Sequence, residues 1–246
     1  MGLCLDTGHV AYTHGDAPRL IREHADRIWY VHLKAVDPDV LAQVEAERLS
    51  FADAVRRDVM CEPGLDETIA GVAAGRRLAA AGKKTVLCVL HAQGQVQLED
   101  RCAGVKQAWG SEGTMTKLYV NDESPSDELS TMTAALTRDK TVDAVITLDA
   151  QVALNALQAM QAAHSRAKLY TFDTNAQSIA KIKSGAIQWA VDQQPYLQGY
   201  ESVDSLWLYL TNGNVLGGGQ VVLTGPSFVD ASNVDAVAKY AARGTR

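Results

Sequence analysis

The sequence predicts an α/β fold in which a parallel sheet is flanked by helices. Runs of Val, Ile and Leu alternate with segments of helical periodicity along most of the chain. Runs such as those at 85–90 and 144–148 are almost continuously apolar, which is typical of parallel strands buried on both faces. The alternating βα order then favours a parallel sheet over an antiparallel one.

Eight strands are predicted, and helices fall between them. The strands span 2–6, 28–33, 85–90, 116–120, 144–148, 168–172, 187–191 and 220–223. Four residues typical of helix starts, Pro18, Ser50, Asp149 and Pro195, lie at or near the first turns of predicted helices. Residues 111–113 and 212–219 are interpreted as loops.

Composition limits the classes of protein to which the chain can belong. The 246 residues suffice for one large or two modest domains, and 47% hydrophobic with 21% charged residues is typical of folded globular proteins. A net charge of -6 argues against nucleic acid or an anionic membrane surface as a partner. No apolar run is long enough to span a bilayer, so membrane insertion is not expected. No signal peptide is recognised, which predicts a cytoplasmic location for the chain as written.

The four cysteines lie at positions without CxxC spacing, so neither a zinc site nor a disulfide framework is predicted. Cys4, Cys61, Cys88 and Cys102 are interpreted as free thiols, mostly in core strands. Cys88 lies near His91, but its position inside a predicted buried strand argues against a nucleophilic role.

The character of the chain changes at the breaker Glu62-Pro63-Gly64. Histidine, aspartate and arginine are dense before it, whereas an Ala- and Gly-rich helix and regular βα units follow. Two segments are therefore predicted, 1–64 and 65–246.

Five sequence blocks of the second segment carry a family resemblance. They are TVLCVLHAQGQVQLEDRCAGVKQAW, VDAVITLDAQVALNALQAM, LYTFDTNAQSIAKIKSG, IQWAVDQQPYLQGYESV and VLTGPSFVDASNVD. In this order they resemble the C-terminal lobe of type I periplasmic sugar-binding proteins, with the ribose- and inositol-binding members most similar. The resemblance implies a sugar or cyclitol ligand, an ABC-type permease as partner and a periplasmic location.

Four residues match ligand-contact positions of that family. Asp149, Asp173 and Gln193 directly follow three successive predicted strands, and Arg101 lies on the helix after the first strand of the segment. Carboxylates, an amide and a guanidinium are the groups that bind the hydroxyls of a sugar. We expect all four on one open, solvent-exposed rim, because the carboxyl ends of parallel strands share one edge. His91 and Gln93, in the exit loop of that first strand, are weaker candidates.

Each of these positions also has a purely structural interpretation. Asp149 could cap the following helix, and Asp173 could form an Asx-turn. Gln193 could satisfy loop backbone, and Arg101 could be a solvated helix residue. The family also has a second lobe that nothing before Glu67 resembles, so only one wall of a sugar site, with millimolar or weaker affinity, is expected.

The first segment resembles a different family. The pieces LDTGH, HADRIWYVHLKAV and LSFADAV are similar to the sugar-phosphate isomerase/epimerase superfamily of TIM barrels, and to its inosose dehydratase branch in particular. The resemblance implies that these βα units have a TIM-barrel origin. It makes Asp6 and His32 ligands of a divalent metal such as Mn²⁺, Co²⁺ or Mg²⁺, and His9 a substrate-contact candidate. A surface role for His9 is the alternative.

Two metal ligands do not form a catalytic site, so no turnover and no catalytic residue are expected, and no cofactor beyond an alternative Mn²⁺. Three hypotheses therefore compete. They are a sugar-binding module or its remnant, a metal-dependent isomerase or dehydratase fragment, and a structural chimera without activity. A second chain covering exposed sheet edges is a further possible partner.

Overall fold

The computed structural model describes residues 2–32, 35–36, 38–57, 59–61, 67–109, 113–219 and 222–246. The chain divides into two compact units, one built from Met1–Leu65 and Leu197–Leu223 and the other from Asp66–Tyr196 and Thr224–Arg246. The expected boundary residue, Gly64, lies outside the described residues. Residues 197–223 were expected in the second segment but cluster with the first unit. Compactness does not report ancestry, so the origin of the two segments stays a prediction.

The first unit begins with two pairs of short strands and four short helices. These are β1 (Leu3–Asp6), α1 (Thr7–Tyr12), α2 (Ala17–His24), β2 (Ile28–His32), β3 (Ala35–Val36), α3 (Pro38–Ala46), α4 (Phe51–Arg56) and β4 (Met60–Cys61). Strands β1 and β2 are parallel, with Asp6 opposite His32, whereas β3 and β4 are antiparallel. A small buried cluster of Val44, Ala54 and Val59 forms the core of this part.

The rest of the chain repeats a strand–helix alternation. Its elements are α5 (Glu67–Ala80), β5 (Thr85–Leu90), α6 (Val96–Trp109), β6 (Thr114–Tyr119), α7 (Pro125–Arg138), β7 (Ala144–Thr147), α8 (Ala150–Ala162), β8 (Lys168–Phe172), α9 (Ala176–Lys183), β9 (Ile187–Asp192), α10 (Pro195–Asn212), β10 (Ser227–Asp230) and α11 (Val234–Ala241). A 3₁₀ turn, Leu216–Gly219, lies in the stretch expected to be a loop.

The second unit contains one six-stranded sheet in the order β10-β9-β8-β7-β5-β6. All pairs are parallel except β10 with β9. The predicted α/β class with a mostly parallel, helix-flanked sheet is confirmed.

Side-chain alternation explains why the central strands are almost continuously apolar. In β5, Leu87 and Val89 join the core cluster that contains residues of α7, α8, α9 and α11. Val86, Cys88 and Leu90 join the cluster on the other face, with residues of α5 and α6. Because successive side chains of a strand point to opposite faces, a strand covered by helices on both sides has no position for a solvated residue.

Local sequence signals explain where several helices begin. Ser50 caps α4 and Asp149 caps α8, each accepting a backbone N–H of the first turn through its side chain. Pro18 lies in the first turn of α2, and Pro195 is the first residue of α10. The predicted helix starts are confirmed.

The last predicted strand is wrong. Residues 220 and 221 lie outside the described residues, and Val222 and Leu223 have no strand conformation. The strand instead lies at Ser227–Asp230 and pairs antiparallel with β9. Its SFVD sequence is too short for its alternation to stand out, and neighbouring β9, which pairs along its whole length, stabilises it as an edge strand.

The prediction of free thiols is wrong for two of the four cysteines. Cys88 on β5 and Cys102 on α6 form a disulfide, with 6.1 Å between their Cα atoms and 14 residues of separation. Both residues are fully buried where α6 packs on β5. Sequence spacing missed the bond because packing of the helix on its own preceding strand, and no cysteine motif, brings the two together. Cys4 is an exposed free thiol.

Helix α10 differs from the helices on the sheet because no residue of it is buried. Exposed aromatic residues lie along it, including Tyr200 and Trp207. None of the helices that the structure describes combines the length and apolarity required to cross a membrane.

Candidate functional site

The candidate site lies at the carboxyl ends of the parallel strands of the second unit. From β5 the chain first adds β6 on one side and then β7, β8 and β9 on the other. The order of the strands thus reverses between β5 and β7, and ligands of open α/β sheets bind at the carboxyl ends beside such a reversal. Arg101 lies on the helix after β5, and Asp149, Asp173 and Gln193 follow β7, β8 and β9.

Arg101 is the centre of this arrangement. It is 5% exposed, and all three guanidinium nitrogens donate hydrogen bonds. Nε and Nη2 bind the two carboxylate oxygens of Glu67 at 2.7 and 2.8 Å. Nη1 donates to the Leu148 carbonyl at 3.0 Å, and Nη2 also donates to Oε1 of Gln193 at 3.0 Å. Burial of a guanidinium requires such compensation, and the forked pair with a carboxylate provides the strongest part of it.

Glu67 was not identified from the sequence, and the close packing of α5 on α6 brings it to Arg101. A Cβ atom at Gly71 would lie 2.3 Å from the Arg101 carbonyl oxygen, and one at Gly104 would lie 2.5 Å from the Thr68 carbonyl oxygen. Only glycine permits this approach. Since Glu67 is the first residue of α5, the glycine contact holds its carboxylate against the Arg101 fork.

Asp173 presents the most accessible charge of the group. Its side chain is 37% exposed, and one carboxylate oxygen lies 3.7 Å from Nη1 of Arg101. Its backbone has φ of 61°, a left-handed conformation that is uncommon outside glycine, and its N–H donates to the Val191 carbonyl at 2.8 Å. A strained residue held by its neighbours at a strand end is a frequent property of ligand-binding positions.

Gln193 is anchored on both sides. Its Nε2 donates to Oε2 of Glu67 at 2.9 Å, and its own backbone carbonyl accepts from the Thr224 hydroxyl at 2.9 Å. The side-chain bonds to Glu67 and Arg101 fix the orientation of the amide. Arg101, Asp173 and Gln193 are thus brought together, as expected from their positions after successive strands.

Asp149 lies on the same edge but its carboxylate is engaged locally. Oδ1 accepts from the backbone N–H groups of Gln151 and Val152 at 2.6 and 3.0 Å, which caps α8. Its carbonyl accepts from the hydroxyl of Thr171, which also contacts the Thr147 hydroxyl across β7 and β8. The capping interpretation holds for Asp149, and a role in ligand contact stays a prediction.

The expectation of a fully exposed rim is wrong for two of the four residues. Arg101 and Gln193 are only 5% and 6% exposed, because the α5 start and its carboxylate cover the guanidinium. The interpretation of Arg101 as a solvated helix residue is wrong for the same reason. Sequence periodicity could not identify it as buried, since an arginine on a helix is normally solvated.

The two weaker candidates line a separate cavity at the ends of β5 and β6. His91 and Gln93 lie around a space of about 490 Å³ that Asn121 and Asp122 also border. Nδ1 of His91 is buried without a hydrogen-bond partner among the described residues. These positions do not join the Arg101 cluster through any contact described above.

Glu128 on α7 is a second buried carboxyl that the sequence did not reveal. It is 2% exposed, and Oε2 accepts a hydrogen bond from Asn155 at 3.0 Å. Oε1 has no partner among the described residues. Burial raises the pKa of this carboxyl above its ordinary value of 4.5, with a smaller increase from Asp149 and Asp122 and an opposing decrease from Asn155.

Glu128→Gln is expected to raise the free energy of unfolding at pH 7, because it removes a charge that the folded state disfavours. The pKa of Glu128 is higher folded than unfolded, so its favourable contribution is complete below the unfolded value and is lost as pH rises through the folded value. The advantage of the variant should therefore shrink as pH falls. Urea unfolding of both proteins across a pH series measures it.

Glu99→Gln is the matched control. The hydrogen bond from Lys117 lowers the pKa of Glu99, so this variant should lose stability at neutral pH and regain parity in acid. A difference between Glu128→Gln and the unaltered protein that does not vary with pH would contradict the expected result.

The expected metal ligands lie in the first unit. Asp6 and His32 are opposite one another at the carboxyl ends of β1 and β2. The side chain of His32 is outside the described part of the chain. The Asp6 carboxylate accepts from the His9 backbone N–H and lies 3.0 Å from His9 Nδ1, and the His9 side chain is 53% exposed. No group of three His, Cys, Asp or Glu able to hold a metal occurs among the described residues, so this donor set fits a catalytic metal poorly.

Comparison with known proteins places this geometry in a family. The profile of the periplasmic binding protein domain matches residues 50–214. The chain belongs to the periplasmic binding protein domain family. A carbohydrate transporter from Acidothermus cellulolyticus, solved in complex with myo-inositol, is 40% identical over all of both chains, with a TM-score of 0.75. A periplasmic solute-binding protein of an ABC transporter from Actinobacillus succinogenes, solved with D-allose, shares the fold at 17% identity, with a TM-score of 0.66 over 89% of this chain and 83% of its own.

A second set of relatives matches a short stretch. An inosose dehydratase from Geobacillus kaustophilus is 48% identical over 62 residues, which is 25% of this chain and 20% of the dehydratase. A rhizopine catabolism protein, MocC, from Rhizobium meliloti is 44% identical over 64 residues, which is 26% of this chain and 20% of its own. The chain thus spans about a fifth of the length of the curated relatives it matches.

Proposed function

We propose that this chain binds a neutral sugar or cyclitol at the carboxyl edge of its second unit, as the solute-binding component of an ABC-type uptake system. The observation that carries the proposal is the partly exposed carboxylate of Asp173, held beside the buried Arg101 and the oriented amide of Gln193. A carboxylate accepts two hydroxyl protons from a polyol, and an oriented amide adds a donor and an acceptor. The relative solved with myo-inositol supports the choice of a cyclitol.

The location and partner that accompany this proposal are those of the family. A periplasmic location is supported by the Cys88–Cys102 disulfide, because such bonds form and persist in oxidising compartments. The partner is the permease of the uptake system. The net charge of -6 supports a small-molecule ligand over nucleic acid.

Asp173→Asn is expected to weaken binding of myo-inositol by about tenfold or more, because a hydrogen bond to a charged acceptor contributes about 1.5–3 kcal/mol. Nuclear magnetic resonance titration with myo-inositol and with ribose measures the affinity even in the millimolar range. Asp235→Asn is the matched control, since Asp235 forms an exposed ion pair with Lys183 in the same unit. Equal affinity of the Asp173 and Asp235 variants would remove Asp173 from the site, and no binding of any sugar or cyclitol would refute the proposed function.

The alternative is a metal-dependent isomerase or dehydratase fragment. It is favoured by the parallel register that sets Asp6 opposite His32 and by the partial likeness to inosose dehydratases. Conversion of an inosose in the presence of Mn²⁺, lost in His32→Ala, would favour this alternative. A chimera without activity would show neither binding nor turnover.

A further inference from the structure

The fork of Arg101 is already occupied by a carboxylate of the protein itself. Nε and Nη2, the two nitrogens with which an arginine grips a carboxylate side-on, bind both oxygens of Glu67. The remaining nitrogen, Nη1, binds the Leu148 carbonyl and faces Asp173. A ligand approaching this edge therefore meets an arginine whose bidentate geometry is used internally.

The charges of the cluster follow from these contacts. Arg101 supplies one positive charge, and Glu67 and Asp173 supply one negative charge each, so the three together are negative. Glu67 is 9% and Arg101 6% exposed at the side chain, so water screens their interaction little. The 37% exposed Asp173 is the member that solvent and ligand reach, and its charge is only partly balanced because the nearest guanidinium nitrogen is 3.7 Å away.

We propose that Glu67 determines the charge of the ligand that the site accepts, admitting neutral polyols and rejecting anionic sugars such as uronates. This inference rests on the proposed function. With Glu67 in place, a carboxylate on the sugar would lie beside Asp173 without an available fork to bind it. Such a juxtaposition of like charges in a partly desolvated site costs several kcal/mol, which is at least about a tenfold loss of affinity.

The same geometry predicts what removal of the charge does. Glu67→Gln keeps the length of the side chain and one oxygen for Arg101, but leaves the guanidinium without its counter-ion. Arg101 then favours an external carboxylate, and the local charge no longer opposes one. Selectivity, the difference between two affinities, should shift toward the anion.

The test uses two ligands with one ring, D-glucuronate and its methyl ester, together with myo-inositol. Isothermal titration or nuclear magnetic resonance gives the affinity of each for the full chain. The unaltered protein is expected to bind the ester at least about tenfold more tightly than the acid, and Glu67→Gln is expected to raise the acid-to-ester affinity ratio by about tenfold or more. Glu67→Asp, which restores the charge, should return the ratio toward that of the unaltered protein, and Asp235→Asn should leave it unchanged.

An unchanged ratio in Glu67→Gln, or a preference of the unaltered protein for the acid, would overturn the inference while myo-inositol binding leaves the proposed function intact. Absence of binding of both myo-inositol and the ester to the unaltered protein would overturn the proposed function and the inference with it. If Glu67→Gln fails to fold, the preference of the unaltered protein for the ester, and its retention in Glu67→Asp, decide the question.

Discussion

Arg101→Ala is expected to lower the free energy of unfolding by about 3–5 kcal/mol, because it leaves the Glu67 carboxylate buried without a counter-ion. It also removes the donors to the Leu148 carbonyl and to Gln193. Equilibrium unfolding in urea, followed by circular dichroism, measures the loss. The variant should therefore be a poor probe of ligand contact alone, since its effect on binding includes an effect on folding.

Lys183→Ala provides the comparison for an arginine or lysine that is paired but exposed. Its partner Asp235 is 76% exposed at the side chain, so the expected loss is about 0–1 kcal/mol. A similar small loss in Arg101→Ala would mean that the Arg101–Glu67 pair is open to water and that the buried cluster is not formed in solution.

The double variant Cys88→Ala/Cys102→Ala is expected to lose about 3 kcal/mol of stability, because the bond closes a loop of 14 residues in the unfolded chain. The two sulfurs are also buried in the core cluster beneath α5 and α6, so the truncation leaves a small void there. Thermal or urea unfolding of the oxidised protein and of the variant measures the difference.

Reduction separates the two contributions. The unaltered protein treated with a reductant should approach the stability of the double variant, whereas Cys4→Ala, at an exposed free thiol, should behave like the unaltered protein in either condition. Insensitivity of the unaltered protein to reduction, with both thiols then shown to react with a thiol reagent after unfolding without reductant, would indicate that the disulfide does not form.

The sequence was most informative where local composition and tertiary environment agree. Strand β5 is apolar because it is covered on both faces, so its bounds were predicted at 85–90 and observed at Thr85–Leu90. Helix α8 begins where Asp149 caps it, and a cap is a property of three or four consecutive residues. The short edge strand β10 was misplaced, because its conformation depends on pairing with β9 and on no periodic signal of its own.

The candidate site shows the same division. The positions of Asp173 and Gln193 at one edge follow from topology, which the order of strands predicts. Burial of Arg101 depends on Glu67, which is 34 residues away and reaches it only because Gly71 and Gly104 allow two helices to approach closely. The sequence shows those glycines, but a helix–helix contact of this kind has no local pattern that would identify its partner.

The four tryptophans distribute themselves unequally between the two units. Trp109 and Trp189 in the second unit are 6% and 4% exposed, whereas Trp29 and Trp207 in the first are 77% and 59% exposed. Indole emission is blue-shifted in an apolar core and red-shifted in water, and a collisional quencher such as iodide reaches only the solvated rings. The intrinsic fluorescence of this chain is therefore an optical label for each unit, in which the unquenched blue component reports the packing around the sheet without any added dye.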